Sequence, residues 1–265
     1  MQPDITTGSS YYDMQRTFLS GVTLRDIAEP LISFDETTAA AVARAAMQLQ
    51  RTAVAGVRVD GHVAGYVLLD DLGEGQCGDG MLSFDERLVL PDSTSLVDVV
   101  LTLVESPFAF VRVLGEVGGL VTREDLQDPP VRMWLFGIVT IMEMYYLRMI
   151  ERHMGGGEWR QYLSDGRIAK AEHLLEERRR RGQSPRLLDC LQFGDKAQIV
   201  VRDQTLRELA GFQSRNRAEY AMKMVERLRN NLAHTQDIVA FDWQTIVILA
   251  ENIDRLLHWD ESARG

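Results

Sequence analysis

Three residues late in a helix-periodic stretch, Arg229, Asn230 and His234, are of the types that handle phosphate and protons. On a helix, successive residues turn by about 100°, so Asn230 and His234 share a face and the carboxamide can orient the imidazole. By the same geometry Arg229 lies about 140° round from His234, so one chain alone brings guanidinium and imidazole together poorly. An imidazole with an unperturbed pKa of about 6.5 takes or gives a proton at neutral pH, and a guanidinium clamps an oxyanion. A second constellation is Thr122 with Asp125, where a strand gives way to a helical turn. Unpaired backbone N–H groups at such a turn favour an anion. The threonine hydroxyl can bond a phosphate or sugar oxygen, and the carboxylate can accept from two neighbouring ribose hydroxyls. Asp71 stands 54 residues earlier, with Leu68 in the place of Thr122. A leucine side chain offers phosphate no hydrogen bond.

That spacing belongs to an internal repeat over residues 22–128. In the first copy, residues 32–38 lead into an alanine-rich helix over 39–50, a strand over 53–59 and a turn at Asp60-Gly61. A return strand follows over 63–69, and a short helix starts at Asp70. Asp-Gly between two apolar runs predicts a type I′ hairpin. The second copy keeps the order: residues 90–95, an apolar helix to Val104, a strand over 108–113, a turn at Gly115-Glu116, a return strand over 119–121 and a helix opening at 122–125. Gly65 and Gly119 share the 54-residue offset of Asp71 and Asp125. Two small α/β units are therefore expected over 22–72 and 81–128, related by a pseudo-twofold. A flexible glycine-rich linker, 73–80, joins them.

After Asp128-Pro129-Pro130 the pattern becomes helical, since proline ends the second copy. Residues 131–153 read as one long helix ended by three glycines, and 168–181 as a second helical run ended by Gly182. Shorter pieces are expected over 186–193 and 206–212, a long helix over 217–235 and a last one over 243–257. Only residues 197–201 alternate like a strand. The expected fold is α+β, with an arm over 1–21, the repeats over 22–128 and an all-helical bundle over 129–265. Tyr11, Tyr12 and Phe18 suggest that part of the arm packs on something.

Hydrophobic residues at 45% and charged residues at 26% exclude wholesale disorder. Cys77 and Cys190 have neither metal-type nor disulfide spacing, which fits a reducing cytoplasm. The first 20 residues lack the apolar core of a secretory signal. The most apolar run, 133–142, falls short of the roughly 20 residues a bilayer span needs, so no membrane partner is expected. The net charge of −10 is uneven: residues 1–128 hold 8 basic and 20 acidic groups, the remainder 21 and 19. The first half should repel nucleic acid while the second tolerates it. Nothing points to DNA.

The segment Gly119-Leu-Val-Thr122-Arg-Glu-Asp125 resembles the end of a CBS repeat, whose recurring form is Gly, two apolar residues, Ser/Thr, two variable residues and Asp. Over residues 22–128 the resemblance implies a tandem CBS pair. It also implies an adenine nucleotide such as AMP or ATP as a regulatory ligand, held by Thr122 and Asp125 with adenine between apolar strand residues. The first copy keeps Asp71 but departs from the pattern at Leu68, which favours the second pocket. The segment Leu228-Arg229-Asn230-Asn-Leu-Ala-His234 resembles the signature of HEPN domains. That resemblance implies a HEPN-like bundle, a homodimer that joins two motifs across a twofold, and metal-independent cleavage of RNA. His234 would act on the ribose 2′-OH or the leaving 5′-oxygen, and Arg229 would clamp the scissile phosphate. Family members modified by a nucleotidyltransferase carry Tyr two residues after the His; here Gln236 stands there, so that partner is not implied.

Together these readings lead to an adenine-nucleotide-responsive endoribonuclease, working as a homodimer without a required cofactor. The competing expectation is a non-enzymatic sensor or scaffold whose bundle only dimerises or binds a partner. Plainer roles exist for each residue. Thr122 can cap a helix that Asp125 supports; His234 can sit at a helix C-terminus while Arg229 pairs with Glu226 or Asp237. The basic run 178–181, beside Glu176 and Glu177, reads as a solvated helix end rather than an RNA track, and the apolar helix 134–149 as core or dimer interface.

Overall fold

The computed structural model describes residues 16–232 and 237–262. The chain divides into one compact unit over Val22–Pro130 and another built from what precedes and follows it.

The first unit opens with β1 (Glu29–Pro30), then β2 (Ser33–Asp35), α1 (Ala40–Gln50), β3 (Val54–Val59) and β4 (His62–Leu68). The second copy supplies β5 (Val89–Pro91), α2 (Leu96–Glu105), β6 (Phe108–Val113) and β7 (Glu116–Thr122). In each copy a short strand runs parallel to the first hairpin strand, which pairs antiparallel with the second. The short strands β2 and β5 lie in the residues expected only to lead into the helices. Each hairpin carries a bulge at the same step, Val57/Arg58 in one and Val111/Arg112 in the other. Asp60 and Gly61 take φ of 52° and 85°, the two left-handed residues of a type I′ turn. Leu114 and Gly115, at 51° and 92°, form the second turn, one residue earlier than expected. Ladder pairing of Val113 with Glu116 fixes that register and holds the fully exposed Leu114 in the strained left-handed conformation.

The copies exchange their leading segments. β1 opens the first copy yet pairs with β7 of the second, Glu29 with Leu120 and Pro30 with Gly119. Leu82, at the start of the second copy, bridges Tyr66 of β4 in the first. The repeated glycines sit at these two crossings. A Cβ on Gly65 would lie 2.5 Å from the Leu82 carbonyl oxygen; one on Gly119 would lie 3.3 Å from the Glu29 carbonyl oxygen and 2.9 Å from Val111 Cβ. Passing chain explains Gly65, and at Gly119 the paired Val111 side chain adds to it. Gly65→Ala should therefore lower the unfolding free energy by about 1–3 kcal/mol, the usual cost of forcing atoms into a filled site. Gly118→Ala, where nothing approaches within 4 Å, should cost less in the same thermal denaturation series.

Strand alternation gives the sheets two apolar faces. Ala55, Val57 and Val67 pack with Ala43 and Met47 of α1. On the other face Val54, Phe110, Val117 and Leu120 enclose a cluster with Tyr66, Phe84 and Phe108. The Phe110 ring lies 4.8 Å from that of Tyr66 and 4.7 Å from that of Phe84.

The second unit contains α3 (Pro129–His153), α4 (Asp165–Arg180), α5 (Phe193–Arg202), α6 (Gln204–Leu209), α7 (Arg215–Leu232) and α8 (Ile238–Ser262). The proline pair expected to close the repeat also begins α3, because a first helical turn has N–H groups to spare. At 25 residues α3 is long and apolar enough to cross a membrane, but 61% of its most apolar window is buried inside the protein. The strand-like residues 197–201 lie inside α5, a correction with a simple cause. Ala197, Ile199, Val200 and Val201 are all buried, and a mostly apolar run of five residues is too short to separate a helical period from a strand's. Lys196 of α5 is almost fully buried against Glu143 of α3, Nζ to Oε1 2.7 Å, and Asp195 pairs with Arg167 of α4. Tyr11 and Tyr12 lie outside the described residues. Phe18, in a short π-helical turn over Arg16–Ser20, packs its ring on Gly137 of α3, where a Cβ would collide with it.

Candidate functional site

At the end of β7 the chain enters a single 3-10 turn, Glu124–Gln127. The Thr122 N–H donates to Asp125 Oδ2 at 2.6 Å and the Thr122 hydroxyl donates to the same oxygen at 3.0 Å. Oδ1 has no hydrogen-bond partner among the described residues. Two expectations change here. The helix anticipated after Thr122 is one short turn, so its dipole offers an anion little. The hydroxyl proton is already committed to Asp125, so toward a ligand Thr122 presents an acceptor, which suits a ribose hydroxyl better than a phosphate oxygen. Arg123 donates Nε to the Leu103 carbonyl at 2.8 Å. Burial pushes the Asp125 carboxyl above its ordinary pKa; the two Thr122 hydrogen bonds oppose that, and the nearby charges of Glu29 and Asp128 add to it.

Asp71 stands at the end of the matching 3-10 turn, Leu69–Asp71, and is exposed. Leu68, in the place of Thr122, packs into the aromatic cluster between the sheets. The two copies therefore agree in backbone and differ at the site. Only the second combines a half-buried carboxylate with a hydroxyl beside it.

The other motif straddles the end of α7. Arg229 is half-buried and Asn230 exposed, while His234 lies outside the described residues, as does the expected pairing of Asn230 with it. The helix end is anchored by residues the motif did not include. Arg132 of α3 donates to the carbonyls of Asn231 and Leu232 at 3.3 and 3.5 Å. Asn231 Nδ2 donates to Asp242 Oδ2 at 2.9 Å, and the Asp242 side chain is fully buried with Arg227 Nε 3.8 Å from Oδ1. A second Asn directly after Asn230 was the one sequence signal available. In the basic run, Arg180 pairs with Glu176 at 3.5 Å and Arg178 donates to the Asp189 carbonyl at 3.4 Å, the behaviour of a helix end held by its neighbours.

Neither a family-level sequence profile nor a curated protein matches the chain. Solved structures of CBS domains match its N-terminal ~40%. CBSX2 in complex with AMP is 23% identical over 40% of this chain and 93% of that one, with a TM-score of 0.36. The CBS domain of a bacterial CNNM/CorC family Mg2+ transporter in complex with ATP is 15% identical over 46% of this chain and 95% of that one, TM-score 0.36. The CBS domains of a transcriptional regulator from Streptococcus pneumoniae are 19% identical over 40% of this chain and 96% of that one, TM-score 0.35. What the chain is similar to, over these lengths, is a pair of CBS repeats.

Proposed function

We propose that the chain is an adenine-nucleotide sensor in which the repeat unit, Val22–Pro130, holds the nucleotide at Thr122 and Asp125 and the helical unit carries the response. One observation carries this reading. Both Thr122 donors converge on Asp125 Oδ2, so Oδ1 and the Thr122 hydroxyl oxygen are left as a pair of acceptors. The cis-diol of a ribose supplies the matching pair of donors. In calorimetry, AMP or ATP should bind the purified chain with a stoichiometry of about one per protomer, since Leu68 deprives the Asp71 turn of its second acceptor. Two equal sites, or no heat with either nucleotide, would remove the reading.

A second reading, favoured by the anchored end of α7, gives the helical unit metal-independent endoribonuclease activity at Arg229, Asn230 and His234, completed by a second copy of the chain. Arg132 and the Asn231–Asp242 hydrogen bond hold the helix end just after Arg229, which fixes the backbone from which a phosphate-clamping guanidinium would reach. RNA incubated with the protein in EDTA, with and without AMP or ATP, should be cut by wild type and left intact by His234→Ala. Equal inertness of the two proteins under every condition would leave the helical unit as a dimerising or partner-binding scaffold.

A further inference from the structure

The repeat unit is poor in groups that could hold phosphate. Over Val22–Pro130 it carries 18 acidic residues against seven arginines, with no lysine. Six of those arginines are already engaged. Arg25, Arg58, Arg87 and Arg112 pair with Asp92, Asp35, Asp85 and Glu86 at 2.6–3.1 Å. Arg44 and Arg123 donate to the carbonyls of Gly73 and Leu103. Among the described residues only the Arg51 side chain makes no such bond, and it belongs to the first copy, directly after α1.

Around Asp125 the charges are of one sign. Glu29 stands in β1 opposite Leu120, two residues before Thr122. Asp128 closes the turn, its N–H donating to the Asp125 carbonyl. Both charges act on the Asp125 carboxylate, with no cation close enough to oppose them. Arg123, the cation of the turn itself, is drawn away to the last turn of α2. Thr122, its hydroxyl proton committed to Asp125, offers a ligand an oxygen and no donor.

On the reading that Thr122 and Asp125 hold a ribose, we propose that this site selects its ligand by charge. It takes adenosine or AMP and excludes ATP, unless a divalent cation masks the triphosphate. The ribose and base are common to all three ligands, so the pair of acceptors does not tell them apart. The 5′ substituent does: each added phosphate meets the field of Glu29, Asp125 and Asp128 with no free guanidinium in the turn to receive it. A divalent cation on the phosphates cancels that repulsion. Because Glu29 and Asp128 are exposed, the discrimination is screened by salt.

Calorimetry on the full chain tests this with adenosine, AMP and ATP, in EDTA at low ionic strength. Adenosine should bind about tenfold more tightly than ATP, with AMP between them. Added salt, or Mg2+ in place of EDTA, should narrow the gap. The double variant Glu29→Gln with Asp128→Asn should narrow it at least threefold at low salt, whereas Arg51→Ala should leave it as it is. ATP bound as tightly as adenosine in EDTA overturns the inference while the ribose site at Asp125 stands. A gap that ignores both salt and the double variant also overturns it, since size would then set the preference. Binding of none of the three ligands removes the ribose site and the inference together.

Discussion

Glu143→Ala should destabilise the helical unit by about 3–5 kcal/mol, the cost of leaving a buried charge without its partner. The Lys196 side chain is 6% exposed and that of Glu143 25%, with Nζ and Oε1 2.7 Å apart. Lys196 enters this environment because α5 is buried on most of its surface, including Ile199 and Val200. An ammonium there is tolerated only beside a carboxylate. The pair need not be stabilising in itself. Replacing both residues with apolar ones, Glu143→Leu with Lys196→Met, should recover most of the loss, so the double-mutant cycle should return a coupling well above the 0–1 kcal/mol typical of surface pairs. Denaturant midpoints followed by helical circular dichroism read the effect. A single-variant loss below about 1 kcal/mol would mean that water reaches Lys196, and the account of α5 as a buried helix tied to α3 would fail.

Asp125→Asn should weaken adenine-nucleotide binding at least tenfold, because hydrogen bonds to a charged acceptor are worth about 1.5–3 kcal/mol. Asp71→Asn, at the exposed turn of the first copy, should change affinity little. The same Asp125 variant should leave the ligand-free protein at least as stable as wild type at neutral pH. The sign follows from burial, which raises the folded-state pKa of this carboxyl. Its contribution to stability is present below the ordinary carboxylate pKa and is lost as pH rises through the raised value. At neutral pH the ionised, desolvated carboxylate is therefore a cost that Asn lacks, while an Asn carboxamide oxygen can still accept from Thr122. Binding and stability move in opposite directions. In wild type, nucleotide binding should begin to weaken on acidification at a pH above that of an ordinary aspartate, as Asp125 takes up its proton.

Legibility in the sequence followed how local the physics is. The 54-residue offset shared by Gly65/Gly119 and Asp71/Asp125 exposed the repeat, and Asp60-Gly61 announced its turn by chemistry alone. Leu114 gave no such signal: leucine rarely takes a left-handed conformation, and the two-residue turn closed by Val113 and Glu116 imposes it. Gly65 and Gly119 were visible as a pair, but the reason for them was not, since Gly65 makes room for chain from the other copy and Gly119 for Val111 of its own hairpin as well as Glu29. The run over 197–201 misled because five mostly apolar residues fit a strand as well as a helix, and the period shows only over the whole of α5. Thr122 and Asp125 were found, yet the hydrogen bond between them reverses the hydroxyl from donor to acceptor, a change that spacing cannot reveal. Lys196 with Glu143 and Asn231 with Asp242 depend on helices meeting across 53 or 11 residues of chain, and no local pattern encodes those meetings.

The most direct test of the sensor account is a crystal structure of the chain grown with AMP. The account predicts one nucleotide per repeat unit, its two ribose hydroxyls within hydrogen-bond distance of Asp125 Oδ1 and Thr122 Oγ1 and its base against the apolar strands. Nucleotide seated at Asp71 instead, or density for AMP elsewhere with Asp125 Oδ1 still unpartnered, would contradict it.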